Sequence, residues 1–416
     1  LSKASLEHYL KVCGKQFSKL LSSQQVQAEA DRVWCGVERC LFGNGKELHF
    51  KKLMDFDTIG GKSNKNGARF DLDAMHVNWL GLSLKCYLPK SENSLSYVWE
   101  SLKGKISYCN IKRLMFSSGW RYYAEIVVSG DAPTRVSIGT STMGIDPGVS
   151  TIAGVSEDAC VLEELAPNAI QYEKKIQKIS QGMDRSRRIS NPNKYNEDGT
   201  INRSNRDPWK YSKNYVKMCR LLKSLYRKKH AYIVDSHRKL CNKLITIARY
   251  FPVEKMHFQA LQKRAKETKR QEKKTEVKQR DGTVKVIQKY KRKKRFGRSI
   301  NRRAPARFLL ELKRKAEAVG GVYAEVDTKE FKASQYNHVT DTYEKIPLSQ
   351  REKEIGKRKV QRDLYSAFLI RNADLDFKHP DREKCEYEFE YFANLQDQLI
   401  LKMKESGLSM RQCFGF

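Results

Sequence analysis

The pattern of apolar and polar positions predicts helices at the start of the chain and a different structure after residue 42. Over residues 3–42, apolar side chains recur at intervals of three and four, as in helices: Leu6, Leu10, Val12, Phe17, Leu20 and Leu21. From residue 43 onward, glycine- and asparagine-rich turns separate short stretches of β character, such as 79–84 and 120–128. Such strands over about a hundred residues predict a small barrel or sandwich.

A third pattern begins near Met143 and predicts a sheet. Residues 143–148 have the character of a strand that ends in a tight turn and carries Asp146. Residues 151–155 and 159–162 follow as two more strands. Three consecutive short strands with an aspartate on the first are how an RNase H-like sheet begins.

Helices and strands follow one another in the second half of the chain. A long helix or helical hairpin is predicted over 209–247, and we interpret its apolar stripe as core or helix-pairing surface: Met218, Leu222, Leu225, Tyr232, Leu240 and Leu244. The later elements are a strand that ends at 252–256 and carries Glu254, a helix at 305–319, a strand at 322–326, and a helix at 360–372 that carries Asp363.

The charge of the chain indicates a polyanionic partner, with a basic ribosome-associated or membrane-surface protein as the alternative. Lysine and arginine total 81 against 48 acidic residues, for a formal net charge of +33. Nineteen basic and four acidic residues lie within 263–303, a composition that suits a segment ordered by RNA or DNA. The candidate nucleic-acid-binding residues in this segment are Lys291, Arg292, Lys293, Lys294, Arg295, Arg298, Arg302 and Arg303.

Other features of the composition narrow the class of protein. The 416 residues suggest two to four domains, and 39% hydrophobic residues indicate a folded chain. No apolar run approaches the length of a membrane span, and we expect no signal peptide. Because the chain begins with Leu1 instead of Met, we expect a few residues to precede it. The ten scattered cysteines show no zinc-like spacing and suit a reducing cytoplasm.

Three acidic residues are candidates for the chemistry of a nuclease. Asp146, Glu254 and Asp363 each stand in an apolar sequence, where an ionised carboxylate is costly unless it is paired or bound to metal. Two Mg²⁺ ions roughly 4 Å apart, held by such carboxylates, can activate water and neutralise the leaving oxygen of a phosphodiester. The residues alone leave open the alternative of three ordinary surface or salt-bridged acids.

The sequence around these acids resembles the RuvC motifs of the TnpB family and of the compact type V CRISPR nucleases related to it. The first motif is Met143-Gly144-Ile145-Asp146-Pro147-Gly148-Val149, the second is Val253-Glu254-Lys255-Met256, and the third is Val360-Gln361-Arg362-Asp363-Leu364-Tyr365-Ser366-Ala367. The resemblance runs from about 143 to 372, and the stretches 191–200 and 295–305 contribute to it. Residues 1–142 resemble the family less closely.

The resemblance implies a fold class and a division into domains. We expect an α/β RNase H-like (RuvC) nuclease domain with an all-β wedge barrel and a helical recognition lobe. The expected parts are the recognition lobe at 1–42, the wedge domain at 43–140, the RuvC domain at 141–333 with a helical insertion (166–250) and the basic segment (263–303), a target-loading loop at 334–359, and the end of the RuvC domain with C-terminal helices at 360–416.

The chain departs from the family at the target-loading loop. Many TnpB proteins carry a four-cysteine zinc ribbon just before the third motif, whereas residues 334–359 contain no cysteine. We therefore expect no structural zinc.

The resemblance also implies a function. The chain is expected to be an RNA-guided DNA endonuclease that cuts guide-complementary DNA next to a short motif. Asp146, Glu254 and Asp363 would be its catalytic and metal-binding residues, with two Mg²⁺ ions as cofactors. Its partners would be a guide RNA and double-stranded target DNA, with no membrane, in a prokaryotic cytoplasm and at the nucleoid when bound to DNA. The oligomeric state is left open.

Three alternatives remain at this stage. A CRISPR-associated type V effector of the same fold would differ in the origin of its guide. A guide-directed DNA-binding repressor would not cut DNA, although such derivatives lose acids of the triad and this chain has all three. A DNA-rearranging transposase would use a similar sheet, but its second and third motifs would match less well.

Overall fold

The computed structural model describes residues 2–43, 45–51, 55–262, 270–278, 284–290, 296–347 and 349–408. The chain forms two compact units. Unit 1 comprises Leu1–Pro133 and Lys178–Tyr226, and unit 2 comprises Thr134–Gln177 and Arg227–Phe416. Within the described ranges, every helix is too short or too polar to cross a membrane.

Unit 1 begins with two helices and continues with short strands. Its elements before Pro133 are α1 (Lys3–Gly14), α2 (Ser23–Leu41), β1 (Thr58–Gly60), β2 (Arg69–Asp71), β3 (His76–Trp79), β4 (Leu82–Lys85), α3 (Glu92–Leu102), β5 (Ile106–Phe116) and β6 (Gly119–Val128). The helices expected over 3–42 are confirmed, with a break between Gly14 and Ser23. Ser22 makes a capping box with Gln25 and so starts a second helix.

The strands of unit 1 form two three-stranded sheets around a common core. The strand orders are β1-β5-β6 and β2-β3-β4, and all pairs are antiparallel. Phe70 and Val77 of the second sheet and Cys109 of the first are buried in one cluster with Leu102 of α3. The short strands expected here are present, while the closed wedge barrel stays a prediction.

Unit 2 is built on a six-stranded sheet. Its strands are β7 (Ser141–Thr142), β8 (Gly144–Pro147), β9 (Thr151–Val155), β10 (Cys160–Glu164), β11 (Ala248–Glu254) and β14 (Val322–Val326). The order is β10-β9-β8-β11-β14, with β7 also paired to β11. Strand β9 pairs antiparallel with β10 and β8, whereas β11 pairs parallel with β8, β14 and β7. The three strands expected from residue 143 onward are therefore present.

Helices cover both faces of this sheet. The helices from residue 169 onward are α4 (Ala169–Ser190), α5 (Lys213–Ile247), α6 (Phe258–Gln262), α7 (Gly297–Arg303), α8 (Pro305–Ala318), α9 (Thr328–Phe331), α10 (Arg362–Arg371) and α11 (Arg382–Glu405). One buried cluster joins Ile145 to Leu244 of α5 and Phe308 of α8. A second cluster, on the other face, joins Val155 to Phe368 of α10.

Two segments that the sequence did not predict to contain strands form β-hairpins: the basic segment (263–303) and the target-loading loop (334–359). Within 263–303, β12 (Arg270–Lys278) pairs with β13 (Val284–Tyr290), and α7 follows. Residues 334–361 form two hairpins, made by β15 (Tyr336–Asn337) with β16 (Thr342–Tyr343) and by β17 (Glu352–Ile355) with β18 (Arg358–Gln361).

Aromatic side chains take part in the core beneath the hairpins of 334–361. The buried His338 ring accepts or donates one hydrogen bond at 2.8 Å to the Tyr365 hydroxyl, and it packs against Phe389 with 4.7 Å between ring centroids. The Lys353 ammonium donates to the Tyr336 carbonyl at 2.6 Å. These contacts hold the cysteine-free hairpins of 334–361 against the core. The lack of structural zinc stays a prediction.

Candidate carboxylate site in unit 2

The register of two parallel strands places Asp146 beside Glu254. Ile145 of β8 pairs with Val253 of β11, and both side chains are buried in the same core cluster. Side chains alternate between the faces of a strand, so the next residues, Asp146 and Glu254, point together toward the opposite face. Both carboxyl groups are partly buried at the carboxyl ends of their strands.

The two carboxyl groups share a hydrogen bond and influence each other's ionisation. Burial raises the pKa of Asp146 well above its ordinary value, and repulsion from Glu254 and Asp363 adds to the effect. Burial also raises the pKa of Glu254, whereas hydrogen bonds from Asp146 and Thr328 favour its ionised form. Burial and mutual repulsion therefore favour a proton on this pair of carboxyl groups.

Asp363 reaches the same region from the first turn of α10. This helix crosses the sheet closely at Gly144, where an added Cβ would lie 2.2 Å from the Ala367 carbonyl oxygen. The Gln361 side chain caps the helix by accepting a hydrogen bond from the Leu364 N–H at 2.7 Å. Gly144 and this cap thus fix where the Asp363 carboxylate lies relative to Asp146.

Both carboxylate oxygens of Asp363 are engaged by neighbouring side chains. Arg362 donates to Oδ1 through Nε at 3.0 Å and Nη2 at 2.8 Å. Arg351 donates to Oδ2 at 3.3 Å, and the Gln361 amide donates to the same oxygen at 3.4 Å. The Asp363 side chain is only 14% exposed. These arginines offset the charge of Asp363. The sequence motifs alone do not single them out as residues of the site.

The oxygen atoms of the three carboxyl groups are of the kind that a hard divalent cation binds. Their present arrangement does not suit one ion. Carboxylate oxygens are the ligands that Mg²⁺ prefers. However, nowhere in the described ranges do three His, Cys, Asp or Glu side chains stand close enough to hold one metal ion. Asp146 and Glu254 are adjacent, while Asp363 interacts with them electrostatically and is bound by arginines. The site is thus a pair of carboxyls with a third one nearby.

The candidate nucleic-acid-binding residues have different environments. Arg298 is exposed on α7. Arg302 pairs with Glu173 at 2.6 Å, and Arg303 pairs with Glu164, so these two guanidinium groups are engaged within unit 2. The five residues 291–295 lie outside the described residues. Their binding of RNA or DNA stays a prediction.

Comparisons with known proteins find weak structural matches. No protein-family model matches the chain, and no curated protein matches it significantly. The cryo-EM structure of a Cas12f1–sgRNA–target DNA complex matches with a TM-score of 0.49 and 13% identity, over 89% of this chain and 76% of that one. A CRISPR-Cas12f ternary complex matches with a TM-score of 0.30 and 14% identity, over 92% and 75%. At these values the similarity assigns neither a family nor an activity.

Proposed function

We propose that this chain is an RNA-guided DNA endonuclease of the TnpB type, which hydrolyses phosphodiester bonds with the help of divalent metal ions. Asp146, Glu254 and Asp363 are its catalytic carboxylates in this proposal. The partners are a guide RNA and a double-stranded DNA target, the same classes of nucleic acid that the similar Cas12f1 complex holds. A compact CRISPR-associated effector would have the same protein chemistry and a guide of different origin.

The observation that carries the proposal is the convergence of three distant acids. Residues 146, 254 and 363 come from β8, β11 and α10, and each of the other two raises the pKa of Asp146 by its charge. The carboxyl groups of Asp146 and Glu254 lie together in one partly buried place and repel each other, which disfavours the fold unless a cation or a proton compensates. Such a cluster is common at functional sites and has no evident use in packing.

The side chains of the site have distinct tasks in this proposal. Asp146, Glu254 and Asp363 would hold Mg²⁺, which when bound supplies a nucleophilic water and neutralises the charge of the leaving oxygen. Glu254, whose pKa is raised by burial, would hold the ion that activates the water. The Thr328 hydroxyl, which donates to the Lys255 carbonyl at 2.6 Å, lies beside Glu254 and counteracts the effect of burial on the pKa of Glu254.

The net charge of +33 supports nucleic acids as partners. Lysine and arginine gain affinity for phosphates by releasing condensed counterions, whatever the base sequence. Specificity would come from pairing between guide and target, with the protein binding the backbone of the heteroduplex.

The test begins with the RNA that co-purifies with the protein. Sequencing that RNA supplies the guide, and a duplex that matches it, flanked by randomised sequence, becomes the substrate. We expect cleavage of the matched duplex with Mg²⁺, no cleavage with EDTA, and no cleavage of a mismatched duplex. Guided binding with no cleavage under any metal condition would favour the non-cleaving repressor. Absence of a defined RNA would contradict the proposal.

A further inference from the structure

Asp363 is held by two arginines that differ greatly in exposure. The Arg362 side chain is 10% exposed, makes two hydrogen bonds to Oδ1, and donates from Nη1 to the Gln350 carbonyl at 3.2 Å. The Arg351 side chain is 47% exposed and contacts Oδ2 at 3.3 Å. Arg362 is therefore fixed by several contacts, whereas Arg351 is held loosely and can reach solvent.

The two arginines meet at Asp363 because of the hairpin between them. Arg351 directly precedes β17 and Arg362 directly follows β18, and the Arg362 N–H donates to the Arg351 carbonyl at 2.9 Å. This hydrogen bond closes the base of the hairpin. The base thus places the guanidinium of Arg351 next to the third carboxylate of the site.

A guanidinium at this place opposes a divalent cation in two ways. It donates to Oδ2 and so competes with a cation for a lone pair of that oxygen, and it adds a positive charge next to the three acids. In this arrangement the three acids do not form a site for one ion, and Arg351 makes the most exposed of the side-chain contacts to Asp363.

We propose that the Arg351–Asp363 ion pair is a releasable latch that holds the carboxylate site in a state of low affinity for divalent cations. A phosphodiester backbone that enters the site releases the latch, because a phosphate accepts two parallel hydrogen bonds from a guanidinium and competes with Asp363 for it. Arg362 stays in place as a positioning residue. This inference rests on the proposed function, since it needs a metal site at Asp146, Glu254 and Asp363.

The experiment is a titration of the purified full-length chain, freed of nucleic acid, with Mn²⁺, in which electron paramagnetic resonance measures the free ion. Arg351→Gln should bind Mn²⁺ about fivefold more tightly than wild type, which corresponds to an exposed ion pair of about 1 kcal/mol. Arg351→Lys, which keeps the charge, should stay close to wild type. The matched control is Arg358→Gln, since Arg358 lies on the same hairpin and pairs with Glu390 at 2.8 Å.

Asp146→Asn identifies the site, because it should remove the Mn²⁺ that Arg351→Gln binds more tightly. Equal affinities of wild type and Arg351→Gln, at a site that Asp146→Asn removes, would overturn the latch and leave the nuclease proposal intact. Loss of cleavage in Arg351→Gln with unchanged Mn²⁺ affinity would assign Arg351 to the substrate instead and also overturn the latch. If no variant has an Asp146-dependent Mn²⁺ site, the latch and the metal-dependent function both fail.

Discussion

Lys353 is a lysine whose surroundings oppose its charge. Its side chain lies beneath the hairpins of 334–361, 6% exposed, with the ammonium 5.2 Å from the centre of the Tyr365 ring. Burial lowers the pKa of Lys353 from 10.5 to about 8. Between these two values the unfolded chain binds more protons than the folded chain, so the stability of the fold increases as the pH rises.

A comparison of wild type with Lys353→Met tests this pH dependence. From pH 7.5 to 10.5 the unfolding free energy of wild type should rise relative to the variant, by roughly 3 kcal/mol at most. Thermal unfolding of both proteins across this range measures the difference, and all other titrating groups are common to both. Parallel pH curves for the two proteins would show that Lys353 is not held in an apolar environment.

At the residue scale, the sequence motifs single out three acids but not the side chains that contact them. Asp146 and Glu254 are adjacent because Ile145 and Val253 pair across parallel strands. Arg351 contacts Asp363 only because a hairpin folds back between them. Nothing in the local composition around residue 351 distinguishes it from the other exposed arginines of a basic chain.

The close crossing of α10 over β8 depends on Gly144. A methyl group there would lie 2.2 Å from the Ala367 carbonyl oxygen and 2.3 Å from the Arg371 nitrogen, both backbone atoms of the helix. Gly144→Ala should therefore displace α10, destabilise the protein by about 1–3 kcal/mol, and move Asp363 away from Asp146.

Thermal unfolding and cleavage rate together measure the effect of Gly144→Ala. The matched control is Gly61→Ala, because an added Cβ at Gly61 would lie 3.6 Å from the Ser63 carbonyl oxygen, an ordinary van der Waals distance. We expect the control to keep both stability and activity. A Gly144→Ala protein with wild-type stability and wild-type cleavage would contradict the account of how α10 positions Asp363.

At the element scale, long periodic segments were predictable and short or highly charged ones were not. Leu240 and Leu244 of the predicted helical stripe are buried in the core of unit 2. The apolar periodicity also predicted α1, yet Val12 is 55% exposed, because periodicity indicates a helix and not what covers it. The strands of 334–361 have two to four residues, too few for a recognisable alternation. The many lysine and arginine residues of β12 and β13 interrupt the alternation of apolar and polar positions by which a strand is recognised.

At the scale of the whole molecule, the excess of positive charge predicts binding that depends strongly on salt. Residues 291–295 are five consecutive basic residues, and they lie outside the described residues. Neutralising them to glutamine should weaken RNA or DNA binding and flatten its salt dependence. Each lost phosphate contact on duplex DNA reduces the slope of log affinity against log salt by about 0.9.

The measurement is a series of binding isotherms at several salt concentrations. Lys402→Gln with Lys404→Gln, in the last turn of α11, is a control for the loss of charge alone. We expect the control to change the slope much less than the neutralised run does. The same slope in wild type and in the neutralised protein would mean that residues 291–295 do not contact phosphates.

The assignment of Asp146 and Asp363 as catalytic carboxylates is the central claim. Measuring DNA cleavage and DNA binding on the same complex tests it most directly. One guide–protein complex is assayed for both properties in Mg²⁺, with Asp146→Asn, Asp363→Asn and the control Asp235→Asn, whose carboxylate is exposed and pairs with Lys239. We predict that the first two variants bind the guided target as wild type does but cut none of it, because affinity comes from base pairing and backbone contacts. Asp235→Asn should bind and cut normally. Cleavage at the wild-type rate by Asp146→Asn or Asp363→Asn would contradict the assignment.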